Sequence, residues 1–285
     1  MHRKVPIIYI IPALVFYIVF KIYPLLVSLY YSFTNSDGFT KCDFIGMQNY
    51  IKLFQDPRFL NTLKLTFTYV LIVVVLVNLF AILIALALSK SSKIMYLLRT
   101  TFFAPILISQ VAIGFMWSTI YSYDGILNYI RTGFGLSRIM WLSDLNIALY
   151  AVAAVDIWRI LGFHTVIILA ALYTIPQELY EAASIDGSNS FNKIRYITLP
   201  LLIPGLTVSI ILATIRALQQ FAIVKVLTDG GPLNVTETIT YFIIDNAFQF
   251  NRKGYASAAA VILLLIMVFI TAVQQNVLGK KEIHY

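Results

Sequence analysis

The sequence predicts an all-α membrane protein with six transmembrane helices. Two observations lead there. Of 285 residues, 60% are hydrophobic and only 12% charged, with a mean hydropathy of +0.83; a soluble domain carries about 25% charged residues. The apolar residues also gather into stretches of the length that crosses a bilayer, about 20 residues. The net charge of +8 fits basic loops against a membrane surface and calls for no nucleic acid. A single cysteine, Cys42, excludes an intrachain disulfide and a cysteine metal site.

The spans follow in order, within one transmembrane domain over residues 1–285. The first is expected over residues 6–33, with Lys21 and Pro24 inside it. Its basic start and long apolar run, without a small-residue cleavage site, read as an uncleaved span. The second, over residues 63–88, is almost wholly Val, Leu, Ile, Ala and Phe. The third covers 94–121 and contains Pro105; the fourth covers 147–175. The fifth and sixth cover 201–226 and 255–278. Gly46 to Tyr50 reads as a turn into a short interfacial helix, and Asp229-Gly230-Gly231-Pro232 as a turn.

An even number of spans puts both termini on one side. That side would hold Arg3, Lys4, Lys90, Lys93, Arg99, Lys193, Arg195, Lys280 and Lys281. The other would hold Lys41, Lys52, Arg58, Arg131, Arg138, Arg252 and Lys253. The first set sits in much shorter segments, which favours that side as cytoplasmic.

The polar segment at residues 176–200 stands out. Glu178, Glu181 and Asp186 crowd its first half, and Lys193 and Arg195 follow. Glu181, Ala182 and Ala183 favour helix. Gly187 permits a sharp turn, and Ser188 or Asn189 can cap a second helix. Phe191, Ile194 and Ile197 form a narrow apolar stripe on it. The segment therefore reads as two short helices joined at Asp186-Gly187.

Its residue order resembles the EAA loop of ABC importer permeases: Glu181-Ala182-Ala183, then Asp186-Gly187, then Ile197-Thr198-Leu199-Pro200. The likeness to sugar-importer permeases of the maltose and glycerol-3-phosphate type extends over residues 5–278. It includes Pro24 to Phe33, Phe44 to Tyr50, Asn61-Thr62, Arg99 with Phe102 to Pro105, Trp117, Trp158 with Gly162-Phe163, Leu227 to Pro232, and Gly254 to Ala258. Ser188 departs from the Ala common in that family. The chain looks like the compact version, without the extra N-terminal spans and large external domain of the long maltose permease.

The resemblance implies the type I ABC importer transmembrane fold and a division of labour. A second homologous permease would complete the pore as a heterodimer, and two ATPase subunits would bind the loops. An extracytoplasmic solute-binding protein would deliver the solute. Glu178, Glu181, Ala182, Ala183, Asp186 and Gly187 would form the ATPase-coupling element. The setting would be the cytoplasmic membrane of a bacterium or archaeon, among membrane lipid, with both termini cytoplasmic. No phosphate-binding loop occurs in the sequence, so no cofactor is expected in this chain; ATP-Mg would belong to the partner ATPases. No metal-ligand spacing and no catalytic set occur either.

Helical spacing places Asp156, Arg159, Ile160, Phe163 and His164 on one face of the fourth span. It places Ala213, Arg216, Ala217, Gln220 and Phe221 on one face of the fifth. Ionisable residues inside a span usually face the bundle interior. One reading is a structural pair, Asp156–Arg216 or Asp156–Arg159. The other is a solute cavity, with Asp156 and Gln220 binding hydroxyls and Phe163 or Phe221 stacking on a sugar. In maltose-type relatives the sugar pocket aligns with Asp156, Ile160, Phe163, Ala213, Arg216, Ala217 and Gln220. The charges leave an acidic or phosphate-bearing solute open. An ion-coupled secondary transporter using Asp156 and Arg216 is the alternative reading. His164 reads as a core residue.

Overall fold

The computed structural model describes residues 10–39, 42–89 and 92–279. The expected span start at residue 6 lies outside these, as do Arg3, Lys4, Lys41, Lys90, Lys280 and Lys281 of the charge comparison. The described residues form helices and no strand; one isolated bridge joins Thr34 and Phe44. Four helices are long and apolar enough to cross a membrane: α1 (Ile11–Tyr31), α3 (Pro57–Ala87), α7 (Ala148–Tyr173) and α13 (Lys253–Gly279). Two bent helix pairs bring the number to six if each pair counts as one span.

The bends fall where the sequence breaks the helical hydrogen-bond ladder. α4 (Lys93–Phe103) begins at Ser92, whose side chain accepts a hydrogen bond from the Met95 amide. It tightens through the Pro105-containing turn at Ala104–Leu107, and the chain then swings by 100° into α5 (Gln110–Ile120). The third span is thus two segments rather than the single helix expected over 94–121. The other bend, 64°, separates α9 (Ser190–Leu201) from α10 (Ile203–Leu218), next to Pro200 and Pro204. α10 ends at Leu218, short of the expected residue 226, and the chain resumes as α11 (Ala222–Leu227). In α1, a π-helical turn over Ile18–Ile22 precedes Pro24.

The contacts divide the chain into two compact units. One comprises residues up to Asn61 and Phe242–Leu265. Here α2 (Gln48–Gln55) presents Asn49, which is buried and donates to the carbonyls of Ser32 and Thr34 at 2.9 and 2.8 Å. Arg58 pairs with Asp245 at 2.6 Å, and the Tyr255 hydroxyl donates to Asp56 at 2.7 Å. Asn35, Asn49, Lys52, Arg252 and Tyr255 are among the residues lining a polar cavity of about 410 Å³. The side chains of α1 from Ile11 to Lys21 are all exposed.

The second unit comprises Thr62–Tyr241 and the residues from Ile266 on. α7 is its centre and packs against α4, α10 and α11. A Cβ on Gly162 would come within 2.0 Å of the Phe102 carbonyl oxygen, so only glycine lets α7 approach α4 this closely. Around one end of α7, Ala81, Ala85, Leu88, Ile168, Leu169, Ile175 and Leu202 form a buried apolar cluster.

Candidate functional site

That cluster anchors the polar elbow. α8 (Gln177–Ile185) and α9 lay Leu179, Tyr180, Ile197 and Leu201 against it. Between the helices Gly187 adopts φ +75°, a left-handed conformation that closes helices. The Ser188 amide donates back to the Ala183 carbonyl at 2.9 Å, and that of Gly187 to Ser184 at 3.2 Å. Asn189, rather than Ser188, caps α9 by accepting from the Asn192 amide at 2.8 Å. Two side-chain bridges tie the arms: Lys193 Nζ donates to Ser184 Oγ at 2.5 Å, and the Tyr180 and Thr198 hydroxyls meet at 3.0 Å. The elbow is a stapled body on an apolar footing.

Its outer surface is open. Glu178, Glu181, Ala182, Asp186 and Gly187 are exposed, and Ala183 is half-buried. The three carboxylates make no ion pair among the described residues. Ile185 is 88% exposed, and Phe191 and Tyr196 are also exposed. The apolar stripe expected on the second helix is therefore split. Ile197 packs inward and Phe191 faces out, because the π-helical turn at Ile194–Thr198 shifts the phase between them.

The intramembrane residues separate into a closed group and an open one. Asp156 is buried and pairs with Arg159, also buried, at 2.7 Å; its other oxygen accepts from the Tyr69 hydroxyl at 2.8 Å. Of the two structural pairs the sequence allowed, Asp156–Arg159 forms and Asp156–Arg216 does not. Ile160, Ala213 and Ala217 are buried beside these helices. Gln220 is also buried, but it lies beyond the end of α10. The face expected through residues 213–221 therefore stops at Leu218, and Gln220 and Phe221 leave it. Phe163 is half-buried and Arg216 is exposed, its guanidinium 4.6 Å over the Phe163 ring.

The sequence reading missed two polar connections. Tyr69 and Asn78 are polar residues within α3, a span otherwise almost all aliphatic, and that exception was the available signal. Asn78 accepts from the Ser209 hydroxyl at 2.6 Å, and Ser209 lies 2.8 Å from His164 Nδ1. Because the serine proton goes to Asn78, His164 Nδ1–H donates to Ser209 Oγ. His164 is thus a core residue joining three helices, with Nε2 buried and unpartnered.

A helical membrane protein with bent spans and an exposed, stapled elbow has the architecture of an importer permease. The chain belongs to the family of binding-protein-dependent transport system inner membrane components, whose model matches residues 77–282. It is 34% identical to the probable ABC transporter permease protein YesP of Bacillus subtilis, over 93% of this chain and 87% of that protein. It is 32% identical to the trehalose/maltose transport system permease protein MalF of Thermococcus litoralis, over 97% and 94%. Its fold matches that of a bacterial ABC transporter involved in import of the acidic polysaccharide alginate. There the TM-score is 0.83 at 23% identity, over 94% of this chain and 93% of that one. The protein is a multi-pass membrane permease of the ABC importer class with the type I transmembrane fold.

Proposed function

We propose that this permease carries a sugar or oligosaccharide across the cytoplasmic membrane by alternating access, driven through its elbow by ATPase subunits that are separate chains. The exposed elbow carries this reading. Three unpaired carboxylates and an exposed Ile185 project from a body held rigid by the Lys193–Ser184 and Tyr180–Thr198 bridges. A short helix docked in a groove moves as a lever when that groove closes. Its footing on α3, α7 and α10 passes such a push into the spans.

The reading places the elbow and both termini in the cytoplasm. ATP-Mg binds to two partner ATPases there, and a second, homologous permease completes the pore. A solute-binding protein delivers sugar from outside. The relative named for trehalose and maltose transport supports the sugar class.

The test uses cells carrying the intact transporter. Glu181→Lys is expected to abolish sugar uptake while the membrane level of the chain, read by immunoblot, stays unchanged. Wild-type uptake by that variant refutes coupling through the elbow. Uptake that collapses with a proton ionophore while ATP is maintained refutes ATP drive.

A further inference from the structure

We infer that the solute is an anionic saccharide and that Arg216 recognises its carboxylate, sulfonate or phosphate group. The inference rests on the sugar-importer reading above. It begins from an imbalance of charge within the spans. Among α3, α4, α5, α7, α10 and α11, Asp156 is the one carboxylate. Its oxygens are taken by Arg159 and Tyr69, and the group is buried. Arg216 makes no ion pair among the described residues and is exposed on the surface of the chain. The accessible intramembrane surface therefore presents a positive charge without its counter-charge.

Arg216 lies about 20 Å along α10 from Ile203 at 1.5 Å per residue. That is within a hydrocarbon layer of about 30 Å. An arginine at that depth faces protein or a watered cavity rather than lipid. The backbone supports the same placement. Just past Arg216 the helix breaks at Gln219–Phe221, and irregular backbone at membrane depth is tolerated where it is buried or lines a cavity.

The pose of the guanidinium suits an oxyanion. Its central carbon lies over the Phe163 ring, 4.6 Å from the centroid, a cation–π contact. A cation–π contact takes up none of the N–H donors in an ion pair, so the guanidinium fork keeps them for a bidentate oxyanion. The same contact argues against Phe163 as a stacking platform for a neutral sugar. Arg216 covers one face of the ring, and His164 packs against it edge-to-face at 5.3 Å.

The experiment compares acidic and neutral probes in cells carrying the intact transporter, with variants made in the chromosomal gene. The acidic probes are digalacturonate, an unsaturated alginate disaccharide and glycerol 3-phosphate; the neutral ones are maltose, trehalose and galactobiose. Depletion that requires this chain is measured for wild type, Arg216→Lys and Arg216→Gln, with membrane levels checked by immunoblot. Wild type is expected to take up an acidic probe in preference to the neutral ones. Arg216→Gln lowers the acidic-to-neutral ratio about 10- to 100-fold, the value of a charge-assisted contact, and Arg216→Lys lowers it less. Uptake confined to neutral probes, or an unchanged ratio in Arg216→Gln, overturns the inference and leaves the sugar reading standing. Equal loss of all uptake, with loss of a co-purifying second permease, overturns it in favour of an arginine paired across the subunit interface. Depletion of no probe by wild type removes the sugar reading and this inference with it.

Discussion

Gly187 offers a test in which backbone and contact effects separate. Its φ of +75° is strained for L-residues, yet a Cβ added there meets nothing within 4 Å. The penalty inside this chain is therefore conformational alone. A left-handed residue with a Cβ costs about 1–2 kcal/mol. That lowers the population of the closed elbow roughly 5- to 30-fold. Asparagine tolerates the left-handed region better than alanine, and a β-branched residue tolerates it worst. ATP-dependent uptake is expected to fall in the order Gly187, Gly187→Asn, Gly187→Ala, Gly187→Val. The assay is initial uptake rate in cells, normalised to membrane level. If Gly187→Asn is instead more damaging than Gly187→Ala, size rather than backbone is being read and a partner surface closes directly on this position. If all three behave as wild type, the turn plays no part in coupling.

The other predictions concern stability. Arg159→Ala leaves Asp156 buried without its cation, which is expected to cost about 3–5 kcal/mol. Tyr69→Phe removes one hydrogen bond to a charged group and costs about 1.5–3 kcal/mol. Thermal unfolding in detergent reads both, and an Arg159→Ala protein as stable as wild type would contradict the buried pair. Outside the spans, Asp229 is held below the usual carboxylate range, first by its hydrogen bond from Lys225 and next by that from Tyr241. A depressed carboxylate stabilises the fold above its unfolded pKa, and the gain is lost as pH falls through the folded value. Asp229→Asn is therefore expected to be slightly less stable than wild type near neutrality. The difference begins to shrink as the pH falls below about 4 and closes as it passes the lower folded value. Because Asp229 is largely exposed, the difference is small. A gap that widens with acid would invert the reasoning.

Much of the elbow was legible in the sequence because its signals are local. Gly187, the Asn189 cap and the Glu181-Ala182-Ala183 helix each act within a few residues. The fifth span misled for the converse reason. Ala213 to Phe221 keeps helical spacing and apolar content, so periodicity alone runs the helix through Gln219 and Gln220. The structure ends it because Thr238 donates to the Gln220 carbonyl at 2.7 Å and Thr240 to that of Leu218 at 3.0 Å. Those partners lie 18 and 22 residues away, beyond any local pattern. The choice between Arg159 and Arg216 as partner of Asp156 was likewise a tertiary matter. Both spacings were possible, and the Tyr69 hydroxyl from α3 completes the arrangement that formed.

The hydrogen-bond chain from His164 through Ser209 to Asn78 has a consequence for Arg216. Ser209 and Arg216 sit seven residues apart on α10, nearly two full turns, so their directions differ by only about 20°. A serine whose single proton is committed to Asn78 and whose lone pair receives His164 cannot swivel without losing both. The small hydroxyl therefore acts as an indexing pin for the helix, and the azimuth it fixes is the bearing along which the guanidinium points two turns further on.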